Sequence, residues 1–243
     1  MNPVNIVFGV AGYGPLWAPA VESWLRCVAI TSRELAVTVM GKIGGSGITD
    51  RMYTSSAENR LAEGMLALAE ATHLFFTEID MILPDRAILD LLAVDKPIVS
   101  GVYFLRKSWG QPCLYRMVVQ LARRRQEQRV YAHSPVTIFP QDRPFKLGDE
   151  KASGVPGFGC VLFKREVFEK MPKPWFEVKE GAYGSDMFFY ANAHDAGYDV
   201  WIEPKVLCGQ IDYHTTDVTD YHNRLKDDPD FGGAGYIIGA QDA

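Results

Sequence analysis

Apolar residues along the first hundred positions recur with two different periods. Short apolar or β-branched runs, bounded by turn residues, predict strands at residues 4–8, 35–40, 73–77 and 97–104. Between these runs, apolar residues at helical spacing predict helices at residues 18–29, after Ser56 and from Pro84, which suits the first turn of a helix. Strands that alternate with helices in this way predict an α/β fold, in which a largely parallel sheet carries helices on both faces.

The remaining segments are less regular. Residues 41–47 hold four glycines and predict a loop, and residues 134–148 are rich in proline. We interpret the basic run at 123–125 as the solvated face of a helix. Clearer patterns predict strands at 160–163 and 200–202, a helix at 187–196, one domain over 1–217 and a polar, glycine-rich tail over 218–243.

Two carboxylates follow directly after a buried apolar run. Leu74, Phe75 and Phe76 lead into Glu78 and Asp80. Because ligands bind beyond the carboxyl ends of parallel strands, we expect Asp80 to lie near the turn at Gly12, which follows the first strand. A pair of carboxylates there can hold Mg²⁺ or Mn²⁺. In the alternative, Glu78 is solvated and Asp80 caps the following turn.

Three further sites also have two interpretations each. Asp186 stands at the start of a predicted helix, where it is either an N-cap or a general base. The glycines at 154–159 either allow a ligand to approach the backbone closely or form a tight turn before a strand. His214 follows a predicted strand and is either a metal ligand or a structural histidine.

Composition limits the classes of partner. The chain has 243 residues and a net charge of -5, which argues against general binding to nucleic acids. No uncharged apolar run approaches the length of a membrane helix, and the N-terminus does not resemble a signal peptide. Four scattered cysteines without CxxC spacing predict buried thiols in a reducing cytoplasm. The expected location is cytoplasmic, with peripheral membrane contact left open.

Three segments, in this order, carry a resemblance to a known family. They are "HLFFTEIDMILPDRAILDLLAVDKPIVSGVYF", "GVPGFGCVLFKREVFEKMPKPWFE" and "GSDMFFYANAHDAGYDVWIEPKVLCGQIDYH". Their order and spacing resemble those of glycosyltransferases with the GT-A fold, in particular the family-2-like small bacterial and phage group. The resemblance covers roughly residues 4–214, and the first segment contains the DxD-like motif of that family.

The resemblance implies a role for individual residues. It places Asp80 as a contact of Mn²⁺ or Mg²⁺, with His214 as a further ligand, and Glu78 as a partner of the donor ribose or of metal-bound water. It places Asp186 as the base of an inverting reaction, which is the preferred outcome, while a retaining reaction stays open. Donor-binding positions are implied at Gly9, Ala11, Gly12, Tyr13, Arg60, Glu78, Ile79, Asp80, Gly157, Phe158 and Gly159. The implied partner is a UDP- or GDP-sugar, and the acceptor is not identified.

Three positions depart from the family pattern. Glu78 replaces an aspartate, Ser185 replaces the glutamate that usually precedes Asp186, and Gln210 replaces a histidine. These departures keep open a second hypothesis, a module that binds nucleotide sugars without turnover. A third hypothesis, a nucleotidyltransferase, usually requires a basic glycine-rich signature, and residues 9–16 contain no Lys or Arg.

Overall fold

The computed structural model describes residues 4–12, 16–35, 39–43, 54–106, 110–121, 129–178, 184–211, 215–216 and 218–227. The strands in these residues are β1 Ile6–Ala11, β2 Val39–Ile43, β3 His73–Glu78, β4 Met81–Ile82, β5 Ile98–Tyr103, β6 Tyr115–Leu121, β7 Arg129–Pro135, β8 Phe145–Leu147, β9 Ser153–Val155, β10 Cys160–Lys164, β11 Val200–Ile211 and β12 Thr215–Thr216. The helices are α1 Ala18–Leu35, α2 Thr54–Leu66, α3 Ala87–Val94, α4 Arg165–Lys170, α5 Ser185–Asp195 and α6 Val218–Asp227.

The central sheet has the strand order β12-β11-β5-β10-β3-β1-β2, and β4 and β8 pair with β11. Strand β1 is parallel to both β2 and β3, and β5 is parallel to β11. Strand β10 lies between these groups and is antiparallel to β3 and β5. The prediction of a largely parallel sheet is confirmed, with β10 as an antiparallel strand at its centre.

Both faces of the sheet are covered by helices, as predicted. All six residues of β1 are buried. Ile6, Phe8 and Val10 pack in one apolar cluster with residues of α1 and α3, whereas Val7 and Ala11 pack in another with residues of α2, α4 and α5. Since successive side chains of a strand point to opposite faces, burial on both sides explains why β1 is apolar without alternation.

Three predicted boundaries differ from the structure. Leu35 belongs to α1, and β2 begins at Val39 and continues through Gly41 to Ile43, so the glycine loop does not begin at Gly41; residues 44–47 lie outside the described residues. In the last turn of α1, Glu34 accepts a 2.7 Å hydrogen bond from Arg86, and this tertiary contact supports the longer helix. Helix α3 begins at Ala87, not at Pro84.

The weakly patterned region contains a hairpin that we did not predict. Strands β6 and β7 pair antiparallel, and β9 joins β6 to form a second, three-stranded sheet. Tyr115, Met117 and Val119 pack on the core, while Val118 is exposed. This alternation is the ordinary signal of a half-buried strand. The basic run at 123–125 lies outside the described residues.

The segment that we expected to be a polar tail begins with a packed helix. Tyr221 of α6 is buried against Phe104 and Phe139. Its hydroxyl donates a 3.0 Å hydrogen bond to the carbonyl of Thr137. Helix α6 therefore covers part of the core, and the division into a domain at 1–217 and a tail stays a prediction.

All four cysteines are buried, as predicted. Among the residues that the structure describes, no helix combines the length and the apolar character needed to cross a bilayer.

Candidate functional site

A pocket of about 230 Å³ opens where the carboxyl ends of β3 and β5 meet the start of α5. This is the edge at which open α/β sheets bind ligands. Three carboxyl groups from three elements converge there: Glu58 from α2, Glu78 from β3 and Asp186 from α5. The complete lining consists of Glu58, Glu78, Tyr103, Phe158, Val178, Gly184, Ser185 and Asp186.

Glu78 is the last residue of β3 and projects into this pocket. It pairs in register with Ala11, the last residue of β1. Burial, reinforced by the nearby carboxyl groups of Asp80 and Glu58, raises the pKa of Glu78 to about 8. A neutral carboxyl group can donate a hydrogen bond as well as accept one. Glu78 is therefore suited to bind a polar ligand and poorly suited to act as an anion at neutral pH.

Asp186 is a helical residue of α5 and not its N-cap. Gly184 occupies the N-cap position, with an extended backbone and no side-chain cap. Oδ1 of Asp186 accepts a 2.8 Å hydrogen bond from the backbone N–H of Met187. Burial raises the pKa of Asp186 above its ordinary value, although this hydrogen bond acts in the opposite direction. A partly desolvated carboxylate with a raised pKa is a stronger base than one in water.

Glu58 is a pocket residue that the sequence analysis missed. Its side chain is only 1% exposed, and its Oε1 accepts a 2.9 Å hydrogen bond from the hydroxyl of Ser185. Burial raises the pKa of Glu58 to about 7. The sequence did contain a signal for the burial of Glu58, since this residue precedes the buried Leu61, Ala62 and Met65 at helical spacing. A carboxylate on the apolar face of a helix requires a polar neighbour or a ligand.

Two glycines, Gly157 and Gly159, flank the pocket residue Phe158 and pack against the pocket residue Tyr103. Gly157 has φ +67°, and a Cβ built there would lie 2.2 Å from the Tyr103 hydroxyl oxygen. A Cβ on Gly159 would lie 2.7 Å from the Tyr103 ring. Between them, Phe158 is buried and packs against Phe76 and Tyr190. The glycines are thus required for the close packing of Tyr103, whichever ligand occupies the pocket.

Asp80 faces a different set of partners from Glu78. Its Oδ2 lies 3.1 Å from Nη1 of Arg106 and accepts a 3.4 Å hydrogen bond from Nε2 of Gln210. The carbonyl of Asp80 accepts a hydrogen bond from the N–H of Ile211. The N-cap of α3 is Arg86, so Asp80 does not cap that helix. Arg106 is a second neighbour of the site that the sequence analysis missed.

Asp80 and its neighbour Gln210 supply oxygen atoms that can act as ligands of a divalent cation. Oε1 of Gln210 is buried and has no hydrogen-bond partner among the described residues. Mg²⁺ and Mn²⁺ prefer oxygen ligands, and many of their sites use one or two protein groups with substrate phosphates and water. Asp80 and Gln210 fit such a site, although no group of three His, Cys, Asp or Glu residues suited to a metal occurs within the described ranges.

The other predicted site residues are distributed as follows. Ala11, Gly12 and Ile79 lie together, since Ile79 donates a backbone hydrogen bond to Ala11 and packs against Gly12. Gly9 lies in the core against Leu61 and Leu74. Arg60 is exposed and is not among the pocket residues. Tyr13 and His214 lie outside the described residues.

The chain is similar to known proteins in its structure and not in its sequence. No protein-family model matches the chain, and neither does any curated protein sequence. A197 from STIV superposes with a TM-score of 0.57 at 15% identity over 86% of each chain. GalNAc-T7, whose crystal structure contains UDP, GalNAc and Mn²⁺, superposes with a TM-score of 0.51 at 10% identity, over 92% of this chain and 48% of that one. These similarities confirm the α/β fold of the GT-A type.

Proposed function

We propose that the protein is a glycosyltransferase that moves a sugar from a nucleoside-diphosphate sugar to an acceptor hydroxyl. The observation that carries the proposal is the pocket in which Glu78, at the tip of β3, meets Asp186, at the start of α5. The similarity to GalNAc-T7, which was crystallised with UDP, GalNAc and Mn²⁺, supports the same class of donor for this fold. UDP-sugars and GDP-sugars are the expected donors.

Asp186 is the proposed general base. An acceptor hydroxyl must lose its proton as its oxygen attacks the anomeric carbon and the nucleoside diphosphate leaves, and the Asp186 carboxylate at the pocket can accept that proton. The raised pKa of Asp186 brings its basicity closer to neutral pH. Direct attack by a hydroxyl that is activated in this way inverts the anomeric configuration, so inversion is the expected outcome.

Asp80 and Gln210 are the proposed protein ligands of Mn²⁺ or Mg²⁺. When bound, such an ion neutralises negative charge on the nucleoside diphosphate. Arg106 places a further positive charge beside Asp80, and its half-exposed side chain can contact a phosphate. The proposed donor site then extends from Asp80 and Arg106 to Glu78 and to Tyr103, which packs against Gly157 and Gly159. Tyr13 and His214 are proposed to contribute to the same site.

Loss of the usual acidic and histidine positions favours one competing function. Ser185 and Gln210 occupy places where the resemblance implies a glutamate and a histidine. A domain with these changes could bind nucleotide sugars without turning them over. We nevertheless favour an enzyme because Asp186 retains a partly buried carboxyl group at the pocket. A cytoplasmic location remains part of the proposal.

One experiment tests the donor site, and a second separates the enzyme from the binding module. Thermal unfolding is measured with UDP or GDP, with and without Mn²⁺; a metal-dependent increase in melting temperature is expected, and no shift with any nucleotide rejects the donor site. Hydrolysis of a panel of UDP- and GDP-sugars is then compared between the wild type and Asp186→Asn. Binding without hydrolysis by the wild type selects the binding module.

A further inference from the structure

Glu58 reaches the pocket from a helix that the family resemblance did not connect with acid–base chemistry. It lies on the core-facing side of α2, and its carboxyl group meets Ser185 directly before Asp186. Ser185 occupies the position at which the resemblance implies a glutamate. The structure therefore contains a carboxyl group close to that lost position, supplied by a different element.

The hydrogen bond from Ser185 orients the Glu58 carboxyl group. A serine hydroxyl has one proton to donate, and here it is donated to Oε1. Oε2 is buried, yet it has no hydrogen-bond partner in the part of the chain that the structure describes. A buried oxygen without a partner is unfavourable in a folded protein unless a ligand or water completes its hydrogen bonding.

The position of Glu58 shows where such a partner would come from. Glu58 lines the same pocket as Asp186 and Glu78, and the pocket has room for more than a few water molecules. The partner must be a hydrogen-bond donor when the carboxyl group is ionised. On the basis of the proposed function, we infer that Glu58 is a ligand-binding residue whose Oε2 accepts a hydrogen bond from a sugar hydroxyl. That hydroxyl belongs either to the donor sugar or to a carbohydrate acceptor.

The test uses Glu58→Gln in the full chain. The amide oxygen of glutamine still accepts the hydrogen bond from Ser185, but an N–H₂ group replaces the free acceptor. Binding is measured by calorimetry in Mn²⁺ with whichever of UDP and GDP stabilises the wild type, and with its hexose derivative, UDP-glucose or GDP-mannose. Glu63→Gln, an exposed substitution on the same helix, is the matched control.

Two results support the inference and distinguish the source of the hydroxyl. If the donor sugar supplies it, affinity for the nucleotide sugar falls about tenfold while affinity for the nucleoside diphosphate is unchanged. If the acceptor supplies it, both affinities and donor hydrolysis are unchanged, but transfer to a panel of methyl glycosides falls about tenfold. Ser185→Ala removes the hydrogen bond that orients the Glu58 carboxyl group. It should therefore reduce the same sugar affinity or transfer rate, by a smaller factor than Glu58→Gln does.

Other results overturn the inference. Unchanged binding and transfer in Glu58→Gln exclude a contact between Glu58 and a sugar. An equal loss of affinity for the nucleoside diphosphate and for the nucleotide sugar, together with a lower melting temperature, identifies Glu58 as a structural residue only. If Glu58→Gln does not fold, the inference is rejected by a Ser185→Ala variant whose sugar binding and transfer equal those of the wild type. Failure of the wild type to bind any nucleotide is a separate result, which rejects the proposed function and this inference with it.

Discussion

Arg106 and Asp80 form an ion pair in which Nη1 lies 3.1 Å from Oδ2. The pair occurs at the carboxylate that we propose as a metal ligand, so the guanidinium group and a divalent cation compete for the same oxygen. Gln210 contacts that oxygen as well, through its amide N–H₂. Metal binding at Asp80 therefore requires that these donors shift or that the cation uses the other carboxylate oxygen.

Replacing Arg106 should strengthen metal binding in the absence of nucleotide. Unit charges 4 Å apart interact with about 1 kcal/mol in water and about 4 kcal/mol near a protein surface. We therefore expect Arg106→Gln to bind Mn²⁺ at least about tenfold more tightly in a titration of free Mn²⁺ by electron paramagnetic resonance. Affinity for the nucleoside diphosphate should fall, since a positive charge beside the phosphates is lost.

Two variants control this measurement. Arg86→Gln removes a surface arginine that pairs with Glu34, so it should leave Mn²⁺ binding as in the wild type. Asp80→Ala should abolish both Mn²⁺ binding and metal-dependent nucleotide binding. Equal Mn²⁺ affinity in the wild type, Arg106→Gln and Asp80→Ala contradicts a metal site at Asp80.

Asp186→Asn should remove catalysis and keep donor binding. Asparagine retains an oxygen that accepts the hydrogen bond from Met187, but it cannot take a proton from the acceptor at neutral pH. General base catalysis supplies about 10²–10⁴-fold, so donor turnover should fall by that factor while the melting-temperature shift with nucleotide persists. Asp195→Asn, an exposed substitution at the other end of α5, is the control. Full turnover by Asp186→Asn excludes Asp186 as the base.

The order of elements was readable from the sequence because the buried strands are apolar. The runs that became β1, β3 and β5 lie at their predicted positions within a few residues. The family resemblance implied that the segments around Glu78, Phe158 and Asp186 share one site, and these three residues line one pocket. The rule that strand ends of one parallel sheet lie along the same edge predicted a different contact, the one between the Asp80 turn and the Gly12 turn, and Ile79 indeed packs against Gly12.

Strand direction, and side-chain contacts between residues far apart in the chain, could not be predicted from the sequence. The apolar period of β10 is the same for a parallel or an antiparallel strand, and only its register with β3 shows that it runs antiparallel. Glu58 was missed for a different reason. The apolar spacing predicted a helix after Ser56 but gave Glu58 no role, although it lies on the same face as Leu61 and Met65, and its partner Ser185 is distant in sequence. Side-chain contacts of this kind are set by the tertiary structure.

Gly157→Ala should destabilise the protein more than Gly197→Ala. Both glycines have positive φ, +67° and +83°, so alanine at either one costs about 1–2 kcal/mol of backbone strain. A Cβ at 197 meets nothing within 4 Å, whereas a Cβ at 157 would lie 2.2 Å from the Tyr103 hydroxyl oxygen. Relieving that clash should cost a further 1–3 kcal/mol or so. Urea denaturation measures both variants, and equal losses contradict the packing of Tyr103 against Gly157.

Glu58 should also make stability depend on pH. Burial raises the pKa of Glu58 from its ordinary value of 4.5 to about 7 in the folded protein. Between these two values the folded chain binds more protons at this residue than the unfolded chain does. The contribution of Glu58 to stability is therefore fully present below pH 4.5, falls as the pH rises to about 7, and is constant above that.

Glu58→Gln should consequently gain stability relative to the wild type as the pH rises. The gain should develop between pH 4.5 and about 7 and reach about 3–4 kcal/mol at most, because the pKa rises from 4.5 to about 7 and one pKa unit corresponds to about 1.4 kcal/mol. Urea denaturation of both proteins at pH 5, 6, 7 and 8 measures the difference, with the exposed Glu63→Gln on the same helix as control. A pH-independent difference shows that the Glu58 carboxyl group is not destabilised by burial. A gain in stability combined with weaker sugar binding is the result expected of a carboxylate retained for function.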